Sequence, residues 1–189
     1  MKIRDSGMPD RATWEGFFDP GATLQRLGLE MLAEDIVDFG CGYGTFALAA
    51  AALTRGTVHA LDIDPNMIET TAARASQLGV SNVRATERDF VAGGSGLASD
   101  SVGYAMLFNV LHSEDAVGLL REARRVLRPC GVAAIVHWIH DGRTPRGPDL
   151  SIRPRPEQCS AWAREAGLLT RELVMLPPYH YGLTAQKPP

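Results

Sequence analysis

The chain has 189 residues, a net charge of −3, and 45% hydrophobic and 22% charged side chains. That length suits one domain, and the composition excludes a disordered chain. The mild acidic balance argues against a duplex-DNA binder, and the longest apolar run, Phe46 to Leu53, is far short of the roughly 20 residues a membrane span needs.

Apolar runs and helix-period runs then alternate along the chain. Ile36 to Phe39 predicts a short buried strand that stops at Gly40, followed by an alanine-rich helix over Phe46 to Leu53. Thr57 to Ile63 predicts a second strand. Asp64 and Pro65, a good N-cap and a good first helical residue, open a helix carrying Met67, Ile68, Ala72, Ala75 and Leu78 and ended by Gly79. Val83 to Glu87 and Val102 to Phe108 are the third and fourth strands, with a Gly/Ser-rich loop over Ala92 to Ser99 between them. Ala116, Leu119, Leu120, Ala123, Val126 and Leu127 mark the next helix, which Pro129 and Gly131 end in a turn before the strand Val132 to Val136. The stretch Asp141 to Pro156 is rich in proline and arginine and reads as an ordered surface loop. Glu157 to Leu168 is a helix, and Leu173 to Leu176 and Gly182 to Lys187 form a hairpin around Pro177-Pro178-Tyr179-His180. Alternation of this kind predicts a doubly wound α/β fold whose parallel sheet ends with one antiparallel strand.

The chemistry gathers after the first two strands. Asp38-Phe39-Gly40-Cys41-Gly42-Tyr43-Gly44 joins the first strand to its helix, where glycines let the backbone approach a ligand and a helix start offers free N–H groups. Asp62 closes the second strand, 22 residues after Gly40, where an acid meets the two hydroxyls of a ribose. Thr45 stands where the third glycine of a G-x-G-x-x-G dinucleotide fingerprint belongs, and no Tyr-x-x-x-Lys pair is present. Both count against an NAD-binding oxidoreductase.

The glycine segment, Asp62-Ile63-Asp64-Pro65-Asn66-Met67, Glu87-Arg88-Asp89-Phe90 and Arg125-Val126-Leu127-Arg128-Pro129-Cys130-Gly131 together resemble the class I S-adenosylmethionine-dependent methyltransferases, in the right order across residues 34 to 187. The resemblance implies a Rossmann-like seven-stranded, mostly parallel sheet with helices on both faces, and S-adenosylmethionine as cofactor. It implies a cofactor set of Asp38, Gly40, Cys41, Gly42 and Gly44 around the methionyl part, Asp62 and Ile63 at the ribose, Asp89 and Phe90 at the adenine, and Asn109 after the fourth strand. Cys130 and Gly103 depart from the family pattern without touching that set. The expected organisation is a single methyltransferase domain: a cap segment over 1–34, a cofactor-binding core over 35–140, and a substrate-side loop, helix and hairpin over 141–189.

The acceptor side belongs beyond the fourth strand. No Asn-Pro-Pro-Tyr follows that strand and no basic tract occurs, so a small-molecule acceptor is expected and a nucleic acid is not. His112, His137, His140 and His180 are the candidates for acid–base work, with helix capping the alternative for His112. His59, inside the second strand, reads as packing. The histidines lack metal-ligand spacing, and no metal is expected. Trp14, Phe17 and Phe18 read either as packing of an N-terminal helix or as a lid over the cofactor. Cys41, Cys130 and Cys159 lack any C-x-x-C spacing, and Met1 to Pro20 is no signal peptide, so free thiols in a cytoplasmic monomer or homodimer, away from membranes, are expected. The competing reading within the same fold is a non-catalytic cofactor-binding regulator.

Overall fold

A computed structural model of the chain describes residues 9–189; the first eight residues of the expected cap segment lie outside the described residues. The helices are α1 (Arg11–Glu15), α2 (Pro20–Arg26), α3 (Thr45–Ala51), α4 (Pro65–Gln77), α5 (Phe90–Gly93), α6 (Ala116–Val126) and α7 (Pro156–Glu165). The strands are β1 (Asp35–Phe39), β2 (Val58–Asp62), β3 (Val83–Glu87), β4 (Val102–Phe108), β5 (Leu127–Trp138), β6 (Leu169–Leu176) and β7 (His180–Gln186).

The seven strands form one sheet in the order β3-β2-β1-β4-β5-β7-β6. Neighbours from β3 to β5 are parallel, and β7 runs antiparallel to both β5 and β6. This is the Rossmann-like arrangement expected from sequence. Strand order reverses between β1 and β4, which opens a crevice at their carboxyl ends.

Both faces of the sheet are covered, so its central strands read as continuous apolar runs. Val37, Phe39, Leu107 and Ile135 pack under α6 and α7, while Ile36, Met106 and Val136 pack under α2 and α3. Leu119, Leu120, Ala123 and Val126 of α6 recur at helical spacing and are buried. Asp64 caps α4 by accepting from the Asn66 amide at 2.8 Å, as expected. Among the described residues no helix is long and apolar enough to cross a membrane.

Four local readings need correction. The Pro129-Cys130-Gly131 turn lies inside β5, because an irregularity in its pairing with β4 admits residues an even ladder would reject. Cys130 takes φ +63° there. The loop expected from Ala92 begins instead as the last half of α5, which Asp89 caps by accepting from the Ala92 amide at 3.0 Å. His180 sits in β7 opposite Trp138 rather than in a turn. Capping by His112 is excluded, since Asp115 caps α6 by accepting from the Gly118 amide at 2.7 Å.

Candidate active site

A cavity of about 500 Å³ occupies the crevice at the carboxyl ends of β1, β2 and β4. Asp38, Gly40, Cys41 and Gly42 enter its wall from β1, Asp62 and Ile63 from β2, Asp89 and Phe90 after β3, and Asn109 after β4. Gly44 does not reach it. That residue opens α3 at φ +73°, and a Cβ there would lie 2.8 Å from Thr71 of α4, so its glycine serves helix packing.

The loop is held by backbone and carboxylate together. The Gly40 and Cys41 amides donate to the Leu61 carbonyl at 2.8 and 2.9 Å. Asp62 Oδ2 accepts from the Gly42 amide at 2.8 Å and Oδ1 from the Asp64 amide at 3.0 Å. Gly40 has φ +78° and faces Val110, where a Cβ would come within 2.7 Å. Only glycine fits there.

Electrostatics sharpen the picture. Burial, and then the charge of Asp62, push the Asp38 carboxyl up to about 7. Burial, followed by the same two acids, also raises the Cys41 thiol, which marks it as an inert wall residue rather than a nucleophile. Asn109 stands at φ +57°, and its side-chain oxygen and nitrogen are both buried with no hydrogen-bond partner among the described residues. An orphaned buried donor and acceptor is costly, and a polar ligand in the cavity would satisfy both. Phe90 meets Phe39 edge-on at 5.4 Å and offers the wall a flat apolar surface.

The N-terminal segment closes over this cleft. Trp14 and Pro9 line the cavity. Arg74 of α4 pairs with Glu15 of α1 at 2.6 Å and also donates to the Tyr43 carbonyl, while the Tyr43 hydroxyl donates to the Pro9 carbonyl at 3.1 Å. Phe18 packs on Phe46 at 5.1 Å and on His180 at 4.4 Å, and Phe17 packs on Trp138 at 5.2 Å. The packing read from sequence is seen in Phe17, Phe18 and Trp14, which meets Phe18 edge-on at 4.9 Å, and Trp14 also forms part of the cavity wall. Arg146, Gly147 and Pro148 of the proline- and arginine-rich loop complete the rim. Sequence reasoning missed them because nothing in that loop's composition says which end folds back.

The histidines separate into four groups. His112 lines the cavity, burial pulls its pKa below the ordinary value, and its Nδ1 has no partner. His137 is buried, with its ring 5.5 Å from that of His112 and stacked at 6.4 Å on Tyr181. Burial holds it well below the usual histidine range, and burial likewise pushes His180 down to about 3. Neither reaches the cavity. His140 donates from Nδ1 to the Arg153 carbonyl at 2.9 Å and faces a second cavity. His59 pairs with Asp35 at 2.9 Å. Among the described residues, no group of three or more His, Cys, Asp or Glu could hold a metal.

Strand order, glycine loop and the acid ending β2 define the fold and cleft of a class I S-adenosylmethionine-dependent methyltransferase. Residues 36–131 match the methyltransferase domain family, and the chain belongs to that family. It is 29% identical over 175 residues to aklanonic acid methyltransferase DauC of Streptomyces sp. strain C5, covering 86% of this chain and 77% of that one. It is 37% identical over 98 residues to the ribosomal protein L11 methyltransferase of Dechloromonas aromatica, covering 45% of this chain and spanning only 33% of that protein's length. Its fold superposes on a SAM-dependent methyltransferase from Aquifex aeolicus with a TM-score of 0.83, 23% identity and 94% of each chain covered.

Proposed function

We propose that this chain transfers the methyl group of S-adenosylmethionine to a small-molecule acceptor, working as one domain in the cytoplasm with its three thiols reduced. The observation that carries the reading is the single cavity into which β1, β2, β4 and the turn after β3 deliver Asp38, Gly40, Gly42, Asp62, Asp89 and Asn109. When bound, the cofactor supplies a methyl group already activated on a sulfonium. The protein's task is then mainly placement, and alignment of this kind is worth roughly 7–11 kcal/mol of a barrier.

Each residue has a task suited to its geometry. Asp62, fixed by two backbone amides, presents its remaining lone pairs to the ribose hydroxyls. Asp89, held as the cap of α5, takes the adenine amino group beside Phe90. The glycine loop gives the methionyl part a surface without side chains, and Asn109 closes over it. Trp14 and the Arg146–Pro148 rim keep water from the reacting centre. An enclosed rim favours a small acceptor over a polypeptide, and the extensive match to a relative named for a small acid supports the same choice.

His112 is the base where the acceptor must lose a proton. Burial lowers its pKa and so favours the neutral form a base needs, which puts its acid limb in a rate profile below the ordinary histidine value. His112→Asn should leave cofactor affinity intact and cut single-turnover transfer at least about tenfold; a smaller loss removes the base role. The binding reading is tested by thermal shift with S-adenosylmethionine, its demethylated product and NAD. A ligand at about 100 times its Kd should stabilise by about 2.7 kcal/mol. Stabilisation by NAD alone would overturn the reading, and tight binding without transfer to any acceptor would favour the regulator.

A further inference from the structure

A second cavity, of about 390 Å³, adjoins the cofactor cleft, and the two share His112 and Ser113. Their walls differ in charge. The first carries Asp38, Asp62, Asp64 and Asp89 against Arg88 and Arg146, whereas the second carries Arg153, Arg155 and His140 and no carboxylate.

Arg153 is only 6% exposed. Its guanidinium donates to the carbonyls of Ile139, Asp141 and Pro148 at 2.8–3.1 Å and to the Thr144 hydroxyl at 2.6 Å. All of these partners are neutral. The nearby acids make their hydrogen bonds to other groups and act on Arg153 through space alone: Asp141 accepts from Arg143 Nε at 3.0 Å, and Asp149 accepts from the Ser151 amide at 2.8 Å. Arg153 is thus satisfied as a donor by neutral groups. Its charge is offset only in part by Asp149 and Asp141, since burial still holds its pKa below the ordinary value, a costly state for a buried cation. Arg155, the exposed N-cap of the ten-residue α7, lines the same space. Trp162 gives the chamber an apolar flank. At the wall shared with the cofactor cleft, Ser113 Oγ and His112 Nδ1 are buried without partners.

We propose that this chamber binds the carboxylate end of a small organic monoanion, and that it is the acceptor's half of the site. The anion adds to the partial offset of the Arg153 charge and takes its hydrogen bonds from Arg155. Its hydrocarbon body lies along Trp162, and its far end reaches His112 and Ser113, beside the methyl group. A monoanion fits because every Arg153 donor is already used, leaving that residue to contribute charge alone. The acceptor role rests on the methyltransferase reading; the anion site does not.

The test is calorimetry on the full chain with benzoate, benzamide and phenyl phosphate, with and without saturating demethylated cofactor. Benzoate should bind at least about tenfold more tightly than its neutral isostere, as expected for charge-assisted bonds, and should bind with the cofactor cleft filled. Arg155→Gln, at an exposed position, should lose benzoate affinity about tenfold while keeping the melting temperature and the affinity for the demethylated cofactor. No benzoate binding, equal binding of benzamide, displacement by the demethylated cofactor, or indifference to Arg155→Gln would each overturn the proposal. Tighter binding of phenyl phosphate than of benzoate overturns the carboxylate assignment. Arg155-dependent benzoate binding by a protein that ignores the demethylated cofactor would leave the anion site standing and remove the methyltransferase reading.

Discussion

Asp62 uses one carboxylate for two purposes: it ties the Gly42 and Asp64 amides together and faces the cavity with what remains. Asp62→Ala should therefore cost more than ligand contacts. Charge-assisted bonds are worth about 1.5–3 kcal/mol each, so affinity for the demethylated cofactor should fall at least about a hundredfold, and the apo protein should also melt earlier. Calorimetry showing unchanged affinity would sink the ribose assignment. At this scale the sequence spoke where backbone geometry demands a residue type. Gly40 and Asp62 were legible because a close approach and a strand-end acid leave little choice. Gly44 shared the motif, yet its glycine answers to Thr71, far along the chain in α4 and invisible to spacing. His137 and His180 were equally opaque, since their burial depends on Tyr181 and on the aromatics of the N-terminal segment.

Among the elements, β5 was half legible. Its apolar run, Val132 to Val136, announced itself, but Pro129 and Gly131 read as a turn because propensity cannot show that an irregular ladder tolerates them. Cys130 sits there in the left-handed region, which costs a residue with a Cβ roughly 1–2 kcal/mol. Cys130→Gly should recover much of that, less the greater backbone freedom of glycine when unfolded, for a net gain of up to about 1 kcal/mol. Urea titration measures it, and a loss of stability would show that the thiol side chain contributes something the backbone strain conceals. The antiparallel placement of β7 was legible because a short Pro-Pro turn between two apolar runs permits little else. α1 carries a second prediction. Trp14→Ala or Glu15→Gln should speed release of the demethylated cofactor in stopped-flow traces while leaving global stability nearly unchanged. Unaltered release rates would reduce the segment to packing.

For the whole molecule, acid stability is set by opposing buried groups. His180, at about 3 when folded, is ordinarily near 6.5, so the unfolded chain binds its proton first and stability falls as pH drops from about 6.5 toward 3, by roughly 1.4 kcal/mol per pH unit. His137 acts in the same direction. Asp38 acts in the opposite one: raised from 3.8 to about 7, it keeps its proton in the folded state, so its contribution is lost as pH rises through that interval. Below about 4.5 Glu122 joins the histidines, because Arg125 and Ser95 outweigh its burial and hold it near 2. Stability should therefore decline gently from pH 6.5 to 4 and steeply below. Asp38→Asn should make the first decline about twice as steep and raise stability at pH 8. Denaturant titrations across pH check both, and an unchanged slope would mean that Asp38 is ionised in the fold.

The position of β7 between β5 and β6 also has a consequence for biosynthesis. On the ribosome, β1 to β5 are made first, and the open flank of β5 is a long apolar strand with unpaired backbone groups. Its partner arrives only after the loop, α7 and β6 have been made, a delay of several seconds at the roughly 5–20 residues per second of translation. Through that interval the nascent chain offers a sticky edge to its neighbours. Nonsense mutations ahead of residue 180 should yield inclusion bodies rather than a shortened soluble protein, and expression should respond more to holdase chaperones than to the stability of the finished fold.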